Sequence, residues 1–174
     1  MKNVELRLVA ELMKNGRKSD RELAKAIGVS QPTITRARSR LEKEGIIKEY
    51  SVIPDFRKLG FELMAFTFCR FARELSDEEF KEVRKHSIEI ARKRNPASLM
   101  ALNGLGLGYN RLFITFHKSY SSYLQAVSDA RAFPYVDPSS VESFIVSLVD
   151  EPHFQTLTLS AIANYLLKTE EEKP

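Results

Sequence analysis

The sequence has almost none of the residues that build disulfide frameworks or membrane spans. Among its 174 residues there is one cysteine, Cys69, and no tryptophan. One cysteine excludes a disulfide framework, and its apolar surroundings favour a buried, inert thiol in a reducing compartment. The chain contains no run of about 18 apolar residues and no basic-then-apolar leader. We therefore expect a soluble, cytoplasmic protein that does not bind membranes.

Histidine is also scarce, and the three histidines are far apart. His86, His117 and His153 have no cysteine or carboxylate near them at the spacing that metal ligands require. The sequence therefore predicts no metal site, no cofactor and no catalytic residue.

Basic charge is concentrated in the first third of the chain. Residues 1–60 contain 14 lysines and arginines against 8 acidic residues, whereas the remainder contains 13 against 15. Such an asymmetry is the electrostatic footprint of a nucleic-acid-binding module beside a neutral domain. Each phosphate that the module neutralises releases counterions, so we expect binding to duplex DNA that depends steeply on salt.

Two short helices joined by a glycine turn are predicted between Ser19 and Gly45. Ser19 and Glu22 have the spacing of a capping box, in which each residue bonds the backbone of the other. Gly28 suits the left-handed position at a helix end, and Ser30 can cap the second helix. Two helices around such a turn form the helix-turn-helix pattern, whose second helix enters the DNA major groove.

The solvent face of the second predicted helix carries groups that can recognise bases. Arginine offers a planar fork to guanine O6 and N7, and threonine offers a hydroxyl and a methyl group. An ordinary solvated helix more often mixes glutamate and lysine along its exposed face. Two basic residues outside the helix face, Lys48 and Arg17, are expected to contact the DNA backbone. The residues expected to contact DNA from the second helix and its cap are Ser30, Gln31, Thr33, Thr35, Arg36, Ser39 and Arg40.

The segments on either side complete the N-terminal domain. A helix over 4–15 supplies the third apolar face that a small core needs. After Gly45 the pattern changes to a short β-rich run over 46–53, which is consistent with the wing of a winged helix. The polar stretch 55–60 ends in glycine, and we place the domain boundary there.

The rest of the chain alternates strands and helices. The almost continuous apolar run 61–72 predicts a central strand buried on both faces. The order β-α-β-β-α-β is that of a ferredoxin-like domain. The other predicted elements are a helix over 76–94, strands over 98–102 and 112–116, a helix over 119–133, a strand over 141–149 and a last helix over 159–167.

Alternating glycines mark the connection between the second and third predicted strands. A dinucleotide fingerprint would need its third glycine at Tyr109 and a helix after it, whereas a strand follows. A tight or bulged hairpin and an effector-binding loop both fit the pattern. Glycines let a ligand approach the backbone, so the residues expected to contact an effector are Gly104, Gly106, Gly108 and Tyr109.

The stretch GRKSDRELAKAIGVSQPTITRARSRLEKEGIIKEYSV and the order of elements after it resemble the Lrp/AsnC (feast/famine) family of transcription regulators. The resemblance implies an α+β fold, with a winged helix-turn-helix DNA-binding domain and linker strand in residues 1–60. Residues 61–174 would form a ferredoxin-like effector and oligomerisation domain with an extra C-terminal helix. It further implies sequence-specific regulation through double-stranded DNA, homodimers or larger rings, and small effectors that are often amino acids.

The chain departs from the family pattern at three places. Ala37 and Arg38 stand where the family usually has arginine and then an aliphatic residue. Either Ala37 takes the core position, or Arg38 lays its stem across the apolar face. The family's glycine-and-aspartate hairpin is replaced by residues 104–109, so the ammonium of an amino-acid effector loses an expected partner. The C-terminal helix is an extension.

Two other functions stay open. A protein that coats DNA without sequence preference needs only the phosphate contacts. Siroheme decarboxylases share this two-domain architecture, and His86 or His117 would then ligate haem or transfer protons. Such an enzyme has no use for an outward face containing Arg36 and Arg40. We therefore expect a DNA-binding regulator rather than an enzyme.

Overall fold

The computed structural model describes residues 3–94, 97–150 and 157–171, which fall into two compact units. The helical unit contains α1 (Asn3–Lys14), α2 (Asp20–Ile27), α3 (Gln31–Lys43) and α6 (Ser160–Glu171). The sheet unit contains β1 (Leu63–Cys69), α4 (Asp77–Arg94), β2 (Ser98–Gly106), β3 (Tyr109–His117), α5 (Tyr120–Arg131) and β4 (Glu142–Ser147). The α+β class predicted from the sequence is confirmed. Within the described ranges, every helix is too short or too polar to cross a bilayer.

Local capping defines the two helices of the helix-turn-helix. The Ser19 hydroxyl accepts the Glu22 N–H, and the Glu22 carboxylate accepts the Ser19 N–H at 2.7 Å, which completes the predicted capping box. Gly28 ends α2 with φ of 82°, a backbone conformation that favours glycine. Ser30 caps α3 by accepting the Thr33 N–H. The predicted turn is therefore confirmed in its geometry. The core beneath it consists of Leu8, Leu12, Leu23, Ala24, Ile27, Ile34 and Leu41.

The C-terminal helix α6 packs on α1. Leu8 and Leu12 of α1 point into the helix-turn-helix core, and Ala10 lies on the opposite side of α1 at about 100° per residue. Ala10 and Ala163 of α6 are both 0% exposed, so small side chains let the two helices approach closely. The boundary predicted at residue 60 places this helix in the C-terminal domain, whereas in the structure it belongs to the helical unit. The pattern of a terminal helix indicates which of its faces is apolar but not which unit that face covers.

The segment that follows α3 contains no strand. Gly45 ends the helix with φ of 70°, and Ile47 packs against the helical core. The remainder of the predicted β-rich run, 48–53, has no regular secondary structure and is exposed, with Val52 77% accessible. A strand needs a neighbouring strand to accept and donate its backbone hydrogen bonds. None of the described residues forms a strand beside this segment. The next unit begins at Asp55 rather than at residue 61.

The four strands form one antiparallel sheet in the order β2-β3-β1-β4. This order confirms the predicted ferredoxin-like topology, with β1 in the centre. In the register, Phe66 lies between Ile114 on β3 and Phe144 on β4. Paired residues share a face of the sheet, so the apolar residues of three strands line up in rows.

Among the residues that the structure describes, helices cover one face of the sheet. On β1, Ala65, Thr67 and Cys69 are buried, while Phe66 and Phe68 on the alternate face are half-exposed. α5 packs against β1 and β3, which accounts for the buried face. The prediction that this strand is buried on both faces is therefore wrong for a single chain. The uncovered side, here called the open face, consists of Met64, Phe66, Phe68, Met100, Leu102, Leu112, Ile114, Phe144 and Val146.

Candidate nucleic-acid interface and ligand pocket

The outward face of α3 presents basic and hydroxyl groups away from the core. Pro32, Arg36, Ser39 and Lys43 are exposed on the side opposite Ile34. The Arg36 Nε donates to the Pro32 carbonyl at 3.3 Å, which supports the side chain along the helix. Among the described residues Arg36 has no acidic partner within salt-bridge distance, so its terminal nitrogens are available to an acceptor.

One flank of this face is organised by Asp20, the first residue of α2. The Thr35 hydroxyl donates to Asp20 Oδ2 at 2.6 Å, and Arg38 Nη2 lies 2.7 Å from Asp20 Oδ1. Arg38 Nη2 also donates to the Lys18 carbonyl at 3.4 Å. Ala37 packs against the helical core instead, so the first of the two alternatives for this pair of residues is correct.

Arg38 also reaches the segment after α3. Its Nη1 donates to the Tyr50 hydroxyl at 3.2 Å, and its guanidinium lies 5.6 Å from the Tyr50 ring centre. The Tyr50 hydroxyl in turn donates to Glu42 Oε1 at 2.7 Å. Partial burial raises the pKa of Tyr50, and the hydrogen bond to Glu42 raises it further. Arg38 therefore connects α2, α3 and this segment.

The other residues expected to contact DNA are placed in different ways. The Thr33 and Ser30 hydroxyls lie 2.8 Å apart at the start of α3, and Gln31 beside them is exposed. Arg40 is half-exposed, but it forms an ion pair with the buried Glu5 of α1 and lies 3.9 Å from Glu44. Lys48 and Arg17 are exposed on segments next to the helices.

Two members of this arrangement were missed in the sequence. From the sequence, Asp20 is one acidic residue among several, and Tyr50 belongs to the β-rich run 46–53. Asp20 lies in the first turn of α2, where an acidic side chain is favoured by the helix dipole, so its presence there does not by itself indicate a further role. Its contacts lie 15 and 18 residues away in the chain, and no local pattern specifies them.

The glycine hairpin is tighter than expected. β2 continues to Gly106 and β3 starts at Tyr109, so only Leu107 and Gly108 form the turn. Both have positive φ, 53° and 80°, as the two-residue hairpin turn requires. The register shifts between Asn103 and Gly106, which marks a bulge. The side chains of Leu105 and Leu107 are 98% and 88% exposed.

A pocket of about 430 Å³ lies beside this hairpin. Three of the four predicted effector residues line it, namely Gly104, Gly106 and Tyr109; Gly108 does not. Arg111 lines it as well, with its guanidinium 4.6 Å from the ring centre of Phe71 and bonded to Asn103 Oδ1. Partial burial lowers the pKa of Arg111. The other lining residues are Phe68, Leu102, Asn103, Leu105, Leu107 and Leu112.

An acid does stand near the hairpin, although it comes from another strand. The Tyr109 hydroxyl donates to Glu142 Oε2 on β4 at 2.5 Å. This hydrogen bond raises the pKa of Tyr109. Glu142 is opposite Phe68 in the sheet, so a ligand near the hairpin would have a carboxylate within the same unit. Glu142 is 33 residues from Tyr109 in the chain, so the sequence of the hairpin does not indicate it.

The two histidines considered for haem or proton transfer lie apart in the sheet unit. His117 is buried, with its Nε2 2.8 Å from Thr115 Oγ1, and burial lowers its pKa. The His86 ring packs against Phe133 at 5.2 Å between centres. Cys69 is a buried free thiol whose pKa is raised by burial, as expected for an inert cysteine.

Comparisons with known proteins agree with this geometry. Residues 1–48 match the family described as winged helix-turn-helix DNA-binding. An HTH-type transcriptional regulator of Pyrococcus abyssi is 34% identical over 92 residues, which are 47% of this chain and 62% of the relative. The regulator LrpC of Bacillus subtilis is 42% identical over 57 residues, 33% of this chain and 40% of the relative. The chain thus matches less than two thirds of the length of these curated relatives.

Solved structures share the fold over almost the whole chain. The B. subtilis LrpC structure superposes with a TM-score of 0.67 at 21% identity, covering 89% of this chain and 99% of its own. An AsnC family transcriptional regulator from Agrobacterium tumefaciens gives a TM-score of 0.72 at 18% identity, covering 93% of this chain and 99% of its own. A Neisseria meningitidis regulator in complex with L-Met gives a TM-score of 0.69 at 21% identity, covering 93% of this chain and 99% of its own.

The fold and the matched region define a winged helix-turn-helix DNA-binding module joined to a ferredoxin-like domain. The curated relatives include LrpC and a leucine-responsive regulatory protein of Rhizobium meliloti, 33% identical over 63 residues, 36% of this chain and 40% of the relative. The N-terminal part of the chain is therefore similar to transcription regulators of the Lrp/AsnC kind, and the whole chain shares their fold.

Proposed function

We propose that this protein is a transcription regulator that binds a specific double-stranded DNA sequence through the outward face of α3. The observation that carries the proposal is Arg36, an exposed guanidinium in the middle of this face with no acidic partner among the described residues. Arginine in this position of a recognition helix can bond two acceptors of one guanine. The names of the relatives as transcriptional regulators support the same function.

Footprinting across the upstream region of its own gene tests this function. Wild-type protein is expected to protect a defined sequence, and Arg36→Ala is expected to lose about 1–3 kcal/mol of binding free energy for it. Arg84→Ala removes an exposed arginine from α4 and serves as the matched control. If Arg36→Ala and the control bound the protected sequence equally well, the assignment of α3 as the recognition helix would be wrong.

We propose a different role for Arg17 and Lys48, which lie on either side of the helix-turn-helix and are exposed. Point charges near the phosphates strengthen binding to every duplex without discriminating between sequences. Replacing either with alanine should weaken specific and random duplexes alike. Each replacement should also reduce the slope of log affinity against log salt by about one.

A protein that only coats DNA is the alternative outcome of the same measurements. Such a protein would bind its own promoter and random duplex with equal affinity at physiological salt, because only phosphate contacts would contribute. The specific regulator is expected to prefer the protected sequence by about a thousandfold or more. Equal affinities would end the specific-regulator proposal.

We further propose that the protein acts as at least a homodimer. Specific helix-turn-helix proteins usually place two recognition helices on half-sites one helical turn or a multiple apart. The open face of the sheet supplies the surface for pairing, because it leaves Phe144 66% exposed among other half-exposed aromatic residues. Exposed apolar patches of this kind mark association sites.

We propose the hairpin pocket as the site of any small-molecule control. Its walls are largely apolar, Arg111 offers a cation, and Glu142 beside Tyr109 offers an anion. A ligand with both a carboxylate and an ammonium is therefore chemically acceptable, which removes the objection drawn from the missing hairpin acid. The L-Met complex of the N. meningitidis regulator shows a relative of this fold with such a ligand.

Calorimetry with amino acids and common metabolites tests the pocket. Gly106→Val should abolish binding of any ligand found, because it places a side chain at a lining position whose φ is 155°. Gly16→Val, in the helical unit and at an ordinary φ, is the control. Equal binding by Gly106→Val would place the site elsewhere, and no response at millimolar ligand would remove the effector proposal.

We propose no catalytic role. The relatives are named as regulators, and the half-exposed and exposed groups of α3 suit DNA rather than a reaction. An absorbance spectrum of the protein mixed with haem or siroheme is the check. A sharp, stoichiometric Soret shift would favour the decarboxylase alternative, with His86 or His117 as the residues to replace next.

A further inference from the structure

We propose that Asp20 determines which bases Thr35 recognises, by holding the hydroxyl proton of Thr35 away from the DNA. Asp20 belongs to α2 and need not touch a base itself, so it acts as a positioning residue. The inference rests on the proposed function, since it assumes that α3 recognises a specific sequence.

The geometry leaves little freedom to the Thr35 hydroxyl. It has one proton, and Asp20 Oδ2 lies 2.6 Å away, whereas the Gln31 carbonyl lies 3.2 Å away. An ionised carboxylate only accepts hydrogen bonds, and bonds to it are shorter and stronger than bonds to a neutral carbonyl. The proton therefore points to Asp20. What Thr35 offers outward is the lone-pair side of its oxygen and its methyl group.

Asp20 is itself held in place by a second residue of α3. Its Oδ1 lies 2.7 Å from Arg38 Nη2, and the two side chains are 21% and 20% exposed. Arg38 is held in turn by the Lys18 carbonyl and the Tyr50 hydroxyl. The carboxylate thus has one oxygen for Arg38 and one for Thr35, and neither can rotate without breaking a contact.

This arrangement has a consequence for base recognition. Thr35 is exposed in the first half of α3, the part of a recognition helix that contacts base edges. A group that only accepts hydrogen bonds pairs with the amino groups of adenine or cytosine in the major groove. It does not bond guanine O6, guanine N7 or thymine O4. At the base that Thr35 contacts, the wild-type protein should therefore prefer adenine or cytosine.

Asp20→Asn should reverse this preference rather than only weaken it. Arginine has no acceptor, so the new amide must turn its oxygen to Arg38 and its NH₂ group to Thr35. The NH₂ group donates to the Thr35 oxygen, and the hydroxyl proton leaves Asp20, so that it can turn from the Gln31 carbonyl 3.2 Å away to an acceptor on bound DNA. Thr35 then donates to the DNA, and guanine or thymine becomes the better partner at the same position.

Selection of binding sites from randomised duplexes by wild-type protein and by Asp20→Asn tests the inference. One position of the selected site is expected to change from adenine or cytosine to guanine or thymine, with about a threefold to tenfold change in relative affinity, the range of one hydrogen bond. Glu49→Gln is the matched control, because it removes one exposed acid of the same unit that forms no hydrogen bond or ion pair with the described residues. The control should raise affinity slightly for all duplexes and leave the preferences unchanged.

Thr35→Val separates the role of Thr35 from general damage. Valine keeps the shape and a methyl group but has no hydroxyl, so the preference for an amino-bearing base at that position should be lost. Asp20→Asn added to this variant should cause no further change in preference. The inference is overturned if Asp20→Asn selects the wild-type site, if Thr35→Val keeps the wild-type preference, or if the double variant still switches. Failure of the proposed function looks different, because the wild-type protein itself would then select no common sequence.

Discussion

The helical unit and the sheet unit differ in how they bury their apolar side chains. In the helical unit, leucines and isoleucines of three helices meet in one closed core, and α6 covers the remaining side of α1. In the sheet unit, helices cover one face, and the other keeps the half-exposed Phe66 ring and the exposed Phe144 ring. The first unit encloses a core within a single chain, although side chains such as Val52 and Ile162 stay exposed, whereas the second leaves a row of apolar side chains uncovered on its sheet.

This difference separates the two tasks that we propose for the protein. A closed core fixes the positions of surface side chains, which suits a unit that must present Arg36 and Thr35 in a defined geometry. An open apolar face is unstable in water unless something covers it, which suits a unit that brings chains together. Mutations can therefore be chosen that affect association in one unit and stability in the other.

The largest effect is expected for Phe144→Lys on the open face. A lysine at this exposed position should oppose burial against a second sheet and shift the protein from dimer to a 19.9 kDa monomer. Sedimentation at micromolar concentration measures the change, and we expect at least a hundredfold weaker association. Ser121→Lys introduces the same charge on exposed α5 and should leave the dimer intact. A wild-type monomer, or a dimer that survives Phe144→Lys, would refute pairing through this face.

A smaller effect is expected for Ala163→Leu in α6. Ala163 is fully buried against α1, so the larger side chain must push the helices apart at a cost of about 1–3 kcal/mol. Ala161→Leu makes the same change two residues earlier, at an exposed position of the same helix. Thermal or denaturant unfolding compares the two variants. If both were as stable as wild type, α6 would contribute nothing to the core of the helical unit.

The smallest effect is a pH dependence of the sheet unit. Burial lowers the pKa of His117 below its ordinary value of 6.5, so the unfolded chain takes up a proton that the folded unit does not. Above about pH 7 the histidine is neutral in both states and does not affect the free energy of unfolding. Below pH 6.5 the free energy of unfolding falls as the pH drops, by at most about 1.4 kcal/mol per pH unit. Melting temperatures between pH 7.5 and 5.5 should show a smaller decline in His117→Gln than in wild type. His86→Gln, at an exposed histidine, should decline as wild type does.

Local chemistry made the helix-turn-helix predictable. The Ser19 capping box, the left-handed Gly28 and the Ser30 cap depend on neighbours within four residues, and the structure contains all three. The order of elements in the sheet unit was predictable for a related reason, since strands and helices have different apolar periods. The roles of Arg36 and the other proposed DNA-contacting residues stay predictions.

Predictions that required a distant partner were less accurate. The apolar run around Phe66 was expected to be covered on both sides, but a single chain covers only one. The run 46–53 was expected to be β-rich, but it finds no strand to pair with among the described residues. In both cases the sequence indicates how apolar or extended a segment is, and the burial or pairing depends on another surface.

By itself, the sequence determined the helix-turn-helix, the ferredoxin-like order and the outward position of Arg36, because these follow from caps, turns and periodicity. The tertiary structure decided that α6 packs on α1, that Glu142 stands beside Tyr109, and that Asp20 takes the proton of Thr35. Each of these contacts joins residues at least 15 positions apart. Only the folded backbone brings them within hydrogen-bonding or packing distance, and one-dimensional patterns do not encode such distances.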